Sequence, residues 1–180
     1  MHALRFLPRS VVLGAALSGC APSSPVAGDP PPVRWEVAGL DASFEGTGVQ
    51  LAPNAGPAWE WELVAIGGEP VSAERIARSG DLGSAVSFER GSIVERYVRG
   101  SRSIEQQFVI EAPLPLDDDL VIDGRIATDG TFHDQGTRWT WRNDEGAVAM
   151  GDVTVFDANG RELDAWLEVS ADRTSLRVDA

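Results

Sequence analysis

The sequence predicts an all-β protein, an antiparallel β-sandwich of about nine or ten short strands with at most one short helix. Three observations predict it. From Val33 onward, short runs of β-branched and aromatic residues alternate with polar residues. Gly, Asn and Asp clusters separate these runs at intervals typical of antiparallel sheets, and no long helical periodicity competes with them. A two-sheet sandwich would bury the apolar faces of these strands in one domain, residues 33–180.

The first 19 residues have the pattern of an export signal. They carry Arg5 and Arg9 and no acidic residue, and an apolar run follows from Val11 to Leu17. The run is too short to span a bilayer, because a spanning helix needs about 20 apolar residues. We therefore expect residues 1–19 to be a signal peptide that is removed on export.

A cysteine follows the apolar run directly. The stretch Leu17-Ser18-Gly19-Cys20 resembles the lipobox of bacterial lipoproteins. In that family the cysteine receives a diacylglycerol thioether, the chain is cut before it, and its new amino group is usually acylated. Cys20 is the only cysteine of the chain, so acylation would explain an exported thiol that has no disulfide partner. The alternative is an ordinary signal peptide that happens to be followed by a cysteine.

The residues after the cysteine bear on location and reach. Ala21 stands where an aspartate retains many lipoproteins at the inner membrane, so we expect an envelope protein anchored to the outer membrane. Residues 20–32 are rich in Pro, Ser, Ala and Gly and end in Pro30-Pro31-Pro32. This composition favours an extended stem. We expect a tether that holds the folded domain clear of the membrane.

Two predicted strands show the alternation most clearly. In Trp59–Leu63 the two tryptophans and the leucine share one face and two glutamates share the other, and Arg138–Arg142 repeats this design with two tryptophans. The other predicted strands are Ser84–Arg90, Ser92–Arg99, Ile104–Ala112, Leu120–Thr128, Val148–Asp157, Ala165–Ser170 and Ser175–Asp179.

Short polar segments between the strands predict tight turns. Gly91 would join two neighbouring strands, and turn chemistry recurs at Asn143–Gly146, Asp157–Gly160 and Ala171–Arg173. Consecutive strands should therefore pair as hairpins. The helix candidate is Ser72–Ser79, which begins with a capping serine and is about two turns long.

The charge of the chain argues against anionic partners. The formal net charge is −13, and removal of residues 1–19 would leave 13 basic and 28 acidic residues, a charge of −15. Nucleic acids and anionic membrane surfaces favour Lys and Arg clusters. We expect no nucleic-acid partner, and membrane contact through the N-terminal lipid alone.

Few residues offer catalytic or metal chemistry. His133 is the only histidine of residues 20–180, and it lies in a polar stretch, Asp129–Gly136, that has the composition of a loop. No motif supplies it with a nucleophile and an orienting acid. One histidine and one lipidated cysteine do not make the usual zinc ligand set. The sequence therefore predicts no enzyme activity, no cofactor and no metal site.

Two groups of residues allow both a binding and a structural interpretation. Asp117-Asp118-Asp119 offers oxygen ligands for Ca²⁺, although a solvated acidic loop explains it equally, and Asp157–Gly160 lacks the spacing of a helix-loop-helix calcium site. The six tryptophans would suit a platform for sugar rings if they were exposed. Their alternation with charged residues favours a place in the core.

The C-terminal half of the chain resembles a known family. The matching segments are Ser87–Val98, Ser103–Phe108, Ala112–Pro113, Val153–Leu163 and Leu176–Asp179. They resemble a module near the amino terminus of large exported proteins of myxobacteria and their relatives, which often continue into FG-GAP or other β-propeller repeats. The resemblance implies a cell-surface β module with no recognised activity, and it transfers no catalytic residue.

These features predict a non-enzymatic envelope lipoprotein whose β-sandwich serves adhesion, scaffolding or partner binding, with an envelope protein or glycan as partner. The alternative is a carbohydrate-binding module that uses exposed Trp residues. A hydrolase built on Asp and Glu near His133 is the third class, and it is disfavoured because strands and turns account for nearly every distinctive residue.

Overall fold

The computed structural model describes residues 5–6, 33–45, 48–71, 75–79, 83–111, 119–136 and 138–179. Regular structure in these residues is almost entirely strand, and all strand pairs are antiparallel, which confirms the predicted all-β class. The strands are β1 Arg5–Phe6, β2 Val33–Val37, β3 Leu40–Glu45, β4 Gly48–Pro53, β5 Trp59–Ile66, β6 Glu69–Pro70, β7 Arg75–Ser79, β8 Ala85–Arg90, β9 Ile93–Arg99, β10 Ile104–Ile110, β11 Leu120–Thr128, β12 Thr131–Asp134, β13 Trp139–Arg142, β14 Ala147–Met150, β15 Val155–Phe156, β16 Glu162–Leu163, β17 Ala165–Val169 and β18 Arg173–Val178. This count exceeds the nine or ten predicted, chiefly because β2 to β4 and several two-residue strands were not foreseen.

The largest sheet has eight strands in the order β17-β18-β11-β5-β4-β3-β2, with β6 paired to β5. Its inward face follows the two-residue period of a strand. Val33, Trp35 and Val37 of β2 are buried, and Arg34 and Glu36 between them are exposed. The predicted alternation in Trp59–Leu63 is confirmed, because both tryptophans and the leucine are buried in β5.

Two smaller sheets cover this inward face. One has four strands in the order β10-β9-β8-β7, and the other has three in the order β12-β13-β14. Aromatic rings join the layers: the centroids of Phe44 and Tyr97 are 5.1 Å apart, and those of Trp59 and Trp141 are 5.6 Å apart. The buried residues of both layers belong to one hydrophobic cluster, as in a two-layer sandwich.

A further small sheet joins β1, β15 and β16 in the order β1-β15-β16. Arg5 of β1 pairs with Phe156, and Phe6 pairs with Val155. β1 lies within the predicted signal peptide, residues 1–19. Within the described residues, no helix has the length and hydrophobicity needed to cross a membrane.

The predicted helix at Ser72–Ser79 is wrong in its described part. Arg75–Ser79 forms β7 and pairs with β8 over five residues, while residues 72–74 lie outside the described part of the chain. A two-turn helix is marginal in water because nucleation is costly. The open edge of β8 instead gives this segment a complete ladder of strand pairs.

The local predictions of strands and turns have mixed outcomes. The hairpin around Gly91 is confirmed, with Arg90 opposite Ile93, and so is Leu120–Thr128 as β11. The single strand predicted at Val148–Asp157 is wrong, because β14 ends at Met150 and β15 begins at Val155. In the interruption, the Asp152 side chain accepts a hydrogen bond from the backbone N–H of Val153 at 2.9 Å, a local interaction that competes with strand pairing.

The turns predicted from Asn and Asp are confirmed. Asn143 accepts hydrogen bonds through Oδ1 from the backbone N–H groups of Glu145 and Gly146, and it closes the hairpin of β13 and β14. The two-residue turn at 171–172 joins β17 to β18. In β13, Trp139 and Trp141 are buried as predicted, although Thr140 between them is buried as well.

Candidate functional site

Four polar side chains of the four-stranded sheet form a buried polar cluster. They are Arg90 at the end of β8, Glu95 and Tyr97 of β9, and Gln106 of β10. The two-residue alternation of β9 turns Glu95 and Tyr97 inward, and the register of β9 with β10 places Gln106 opposite Tyr97. Arg90 and Glu95 are only 5% and 0% exposed, although they are the charged members.

The carboxylate of Glu95 is the centre of the buried polar cluster. Its Oε2 accepts hydrogen bonds from Arg90 Nε at 2.9 Å and Nη2 at 2.5 Å. Its Oε1 accepts from the hydroxyl of Tyr97 at 2.6 Å and from Gln106 Nε2 at 2.8 Å. Both oxygens act only as acceptors, as an ionised carboxylate does.

Burial and pairing act in opposite directions on this carboxylate. Burial raises the pKa of Glu95, while the charge of Arg90 and the hydrogen bonds from Tyr97, Arg90 and Gln106 act to lower it. Burial and the neighbouring Glu95 charge raise the pKa of Tyr97 well above its ordinary value. Tyr97 therefore keeps its proton, and the cluster is suited to orienting Gln106.

Sequence reasoning missed the buried polar cluster. The signal was present in the predicted strand Ser92–Arg99, where Glu95 has the same parity as Ile93 and Tyr97 and so shares their face. A glutamate at an inward position needs a buried cation or several donors. Its partner Arg90 lies only five residues earlier, across the turn at Gly91.

An apolar cleft of about 390 Å³ lies beside the cluster. One wall of the cleft is formed by β10, β14 and the segment 151–154 that follows β14. The other wall is the inward face of the eight-stranded sheet. Tyr97 and Gln106 belong to its lining. The apolar side chains include Leu51, Trp59, Trp61, Phe108, Ile122, Val148, Met150, Leu167 and Leu176. We call this the inner cleft.

A larger groove of about 830 Å³ lies on the opposite, outer face of the eight-stranded sheet. Strand register builds a row across it, because Arg34 pairs with Ser43, Ser43 with Gln50, and Gln50 with Glu60. The Ser43 hydroxyl donates to Gln50 Oε1 at 3.4 Å. We call this the outer groove, and it is lined by hydrogen-bonding side chains interspersed with alanines.

The structure describes only some of the residues singled out in the sequence. Cys20, the proposed lipid-attachment residue, lies outside the described residues with the tether, and so do Asp117 and Asp118. Asp119 is described just before β11 and is partly buried. Among the described residues, no group of three or more His, Cys, Asp and Glu side chains is placed to hold a metal ion.

Asp157 has a structural role in the turn between β15 and β16. Its Oδ1 accepts hydrogen bonds from the backbone N–H groups of Asn159 at 2.8 Å and Arg161 at 2.9 Å. The hydrogen bond from Arg161, those from Asn159 and the charge of Arg161 lower the pKa of this carboxyl. This geometry agrees with the turn interpretation of Asp157–Gly160.

His133 does not lie in a loop, and that prediction is wrong. It belongs to β12, where it pairs with Thr140 of β13 and is exposed. The alternation Thr131-Phe132-His133-Asp134 allows Phe132 to pack on Trp141, with ring centroids 5.4 Å apart, and turns His133 to the other face.

Five of the six tryptophans belong to the core, as their alternation predicts, each 6% exposed or less. The exception is Trp166 of the edge strand β17, which is 43% exposed. It lies opposite Arg177 of β18 and shares a face with Glu168, whose Oε1 is 3.7 Å from Arg177 Nε. An exposed aromatic ring is thus flanked by a charged pair.

No protein-family model, curated protein or solved structure matches the chain. The resemblance of the C-terminal half to a module of myxobacterial exported proteins therefore stays a prediction.

Proposed function

We propose that this protein is a non-enzymatic lipoprotein of the bacterial cell envelope. A lipid on Cys20 anchors it to the outer membrane, residues 20–32 form the tether, and the β-sandwich binds an envelope protein or glycan in adhesion or scaffolding. The outer groove is the observation that supports the binding role. Its side chains come from several adjacent strands, so their spacing is set by the sheet and is organised before a partner arrives.

The charges of the outer groove restrict the partner. Its lining includes one basic residue, Arg34, and four acidic residues, Glu36, Asp41, Glu60 and Asp129. Such a surface repels anionic polymers and favours a neutral glycan or a basic protein segment. Binding of a basic segment would weaken as the salt concentration rises, whereas binding of a neutral glycan would not.

A matched pair of variants tests the outer groove. Ala52 is exposed and lines the groove, whereas Ala158 is exposed in the turn between β15 and β16. In cross-linking from native membranes, we expect the parent protein and Ala158→Arg to capture the same partner and Ala52→Arg to lose it. Equal capture by the two variants, or no capture by the parent, would refute binding at the groove.

The anchor is tested by intact-mass measurement of the membrane fraction from a bacterium that processes lipoproteins. We expect a chain that begins at Cys20 and carries acyl groups, and we expect Cys20→Ala to lose both the acyl mass and the membrane attachment. An unacylated, soluble product from the parent sequence would disprove the anchor and leave the binding proposal standing.

We propose carbohydrate binding as a second candidate function because Trp166 is exposed beside Arg177 and Glu168. A flat aromatic ring next to hydrogen-bonding groups is suited to stacking on a sugar. In affinity electrophoresis with envelope polysaccharides, Trp166→Ala should abolish retardation of the band. Val64→Ala is the matched control, and it should leave the retardation unchanged. Val64 is also 43% exposed and apolar, but it is not aromatic. Retardation that survives Trp166→Ala would eliminate this candidate.

A further inference from the structure

The inner cleft has the size and lining of a small-molecule site. Ligand pockets typically enclose about 300–1,000 Å³ and have mostly apolar walls with a few fixed polar groups. The inner cleft has a volume of about 390 Å³ and lies between aromatic side chains of both layers. Trp61 of β5 and Phe108 of β10 face each other with ring centroids 6.1 Å apart.

Gln106 supplies the fixed polar group. Its Nε2 donates to Glu95 Oε1 at 2.8 Å and to the Tyr97 hydroxyl at 3.1 Å. If the amide were flipped, Gln106 Oε1 would face Glu95 Oε1 and the Tyr97 hydroxyl oxygen. Glu95 is an acceptor and the Tyr97 proton is already donated to it, so the buried polar cluster fixes the orientation of the amide. Among the described residues, none donates a hydrogen bond to Gln106 Oε1. The amide oxygen is therefore available to accept a hydrogen bond from a ligand in the cleft.

The charges of the inner cleft exclude an anionic headgroup. The charged side chains of its described lining are Glu105 and Asp152, and both are acidic. A carboxylate or phosphate would be repelled by Asp152 and would find no arginine in this lining. Glu105 belongs to the other face of β10 from Gln106, where it accepts a hydrogen bond from Gln107 Nε2 at 2.6 Å. A hydroxyl or amide headgroup carries no charge and donates the hydrogen bond that Gln106 can accept.

We propose that the inner cleft binds a single-chain amphiphile whose uncharged headgroup donates a hydrogen bond to Gln106 Oε1. The aliphatic chain lies along Trp61 and Leu176 on the inward face of the large sheet. This site is separate from the outer groove, so the two proposals stand or fall independently.

The test is isothermal titration of the full chain carrying Cys20→Ala, which removes the need for detergent. The probes are decan-1-ol and decanoate, which share a chain length and differ in headgroup charge. We expect saturable binding of one decan-1-ol per chain and at least tenfold weaker binding of decanoate. Absence of decan-1-ol binding, or equal affinity for the two probes, would overturn the proposal.

Variants locate the ligand in the cleft. Gln106→Met keeps the side-chain length but removes the acceptor and the two hydrogen bonds that Nε2 donates within the cluster. Decan-1-ol should bind about three- to tenfold more weakly, as expected for loss of one hydrogen bond to the ligand. Val148→Phe fills the cleft from β14, and it should abolish binding. Val64→Ser, on the outer face, should bind like the parent. Unchanged affinity in Val148→Phe would place the ligand elsewhere and refute the site.

Discussion

Gly124 of β11 allows the side chain of Trp61 to pack directly against the backbone of this strand. A Cβ atom added there would lie 2.4 Å from three atoms of the Trp61 indole, far inside contact distance. The missing side chain lets the indole lie against β11 and donate a hydrogen bond from Nε1 to Thr174 Oγ1 at 3.0 Å. The glycine is required here for space, because its side-chain position is already occupied by the tryptophan.

Gly124→Ala should therefore destabilise the protein. Adding one methyl group to a packed core typically costs about 1–3 kcal/mol, and urea unfolding measured by tryptophan fluorescence would show the lower midpoint. Gly151→Ala is the matched control, since a Cβ there meets no atom within 4 Å. We expect it to change the free energy of unfolding by less than about 0.5 kcal/mol. Equal midpoints for the two variants would contradict this account of Gly124.

Asp157 should make the hairpin of β15 and β16 sensitive to acid. Its folded pKa is lowered, so its stabilising effect is present above the unfolded pKa and is lost as the pH falls through the folded pKa. An NMR titration should find its side-chain carboxyl titrating below the ordinary range for aspartate. Asp157→Asn keeps an Oδ1 acceptor for the turn and should remove this pH dependence. A titration at or above the ordinary value would show that the backbone hydrogen bonds are not formed in solution.

The hairpin of β8 and β9 contains a buried ion pair between Arg90 and Glu95. The guanidinium of Arg90 lies 5.2 Å from the centre of the Phe88 ring and binds Glu95, so both charges are enclosed by neighbouring strands. Removing one partner of a buried pair is costly, whereas replacing both with apolar residues is often neutral or favourable.

Glu95→Leu should therefore lower the free energy of unfolding by about 3–5 kcal/mol, because it leaves the Arg90 charge buried without the carboxylate. The double variant Arg90→Met/Glu95→Leu should recover the part of that loss that comes from burying the Arg90 charge without the carboxylate, but not the part that comes from the hydrogen bonds of Tyr97 and Gln106 to Glu95. Urea unfolding of the parent, the single variant and the double variant measures both effects. A double variant as unstable as Glu95→Leu would mean that the hairpin requires the packing of the glutamate stem and its hydrogen bonds to Tyr97 and Gln106, and not the charge pairing with Arg90.

Elements set by neighbouring residues were predictable from the sequence, and those set by distant pairing were not. The turns at Gly91 and Asn143 were found because their chemistry is local. The Arg75–Ser79 segment was assigned wrongly because its structure depends on the free edge of β8. The outer groove and the buried polar cluster depend on register between strands, so their residues were visible in the sequence but their grouping was not.

On the scale of the whole molecule, the large sheet joins the two ends of the domain. β11 pairs with β5 on one side and with β18 on the other, so the last strand is hydrogen-bonded into the sheet that begins at β2. Thr174, Leu176 and Val178 of β18 are buried. The sheet order gives the final strand many contacts with residues far away in sequence, whereas the predicted tether precedes the first strand of the sheet.

This arrangement predicts that residues 33–180 fold without the tether, and that the tether adds reach without adding stability. Thermal unfolding of residues 33–180 should give the same midpoint as residues 20–180 carrying Cys20→Ala, because the Pro-rich composition of residues 20–32 cannot bury apolar area. Deletion of β18 should instead prevent folding, since it uncovers one edge of β11 and removes three buried side chains. A lower midpoint for residues 33–180 would show that residues 20–32 pack on the domain, and the anchor proposed at Cys20 would then hold the sandwich close to the membrane.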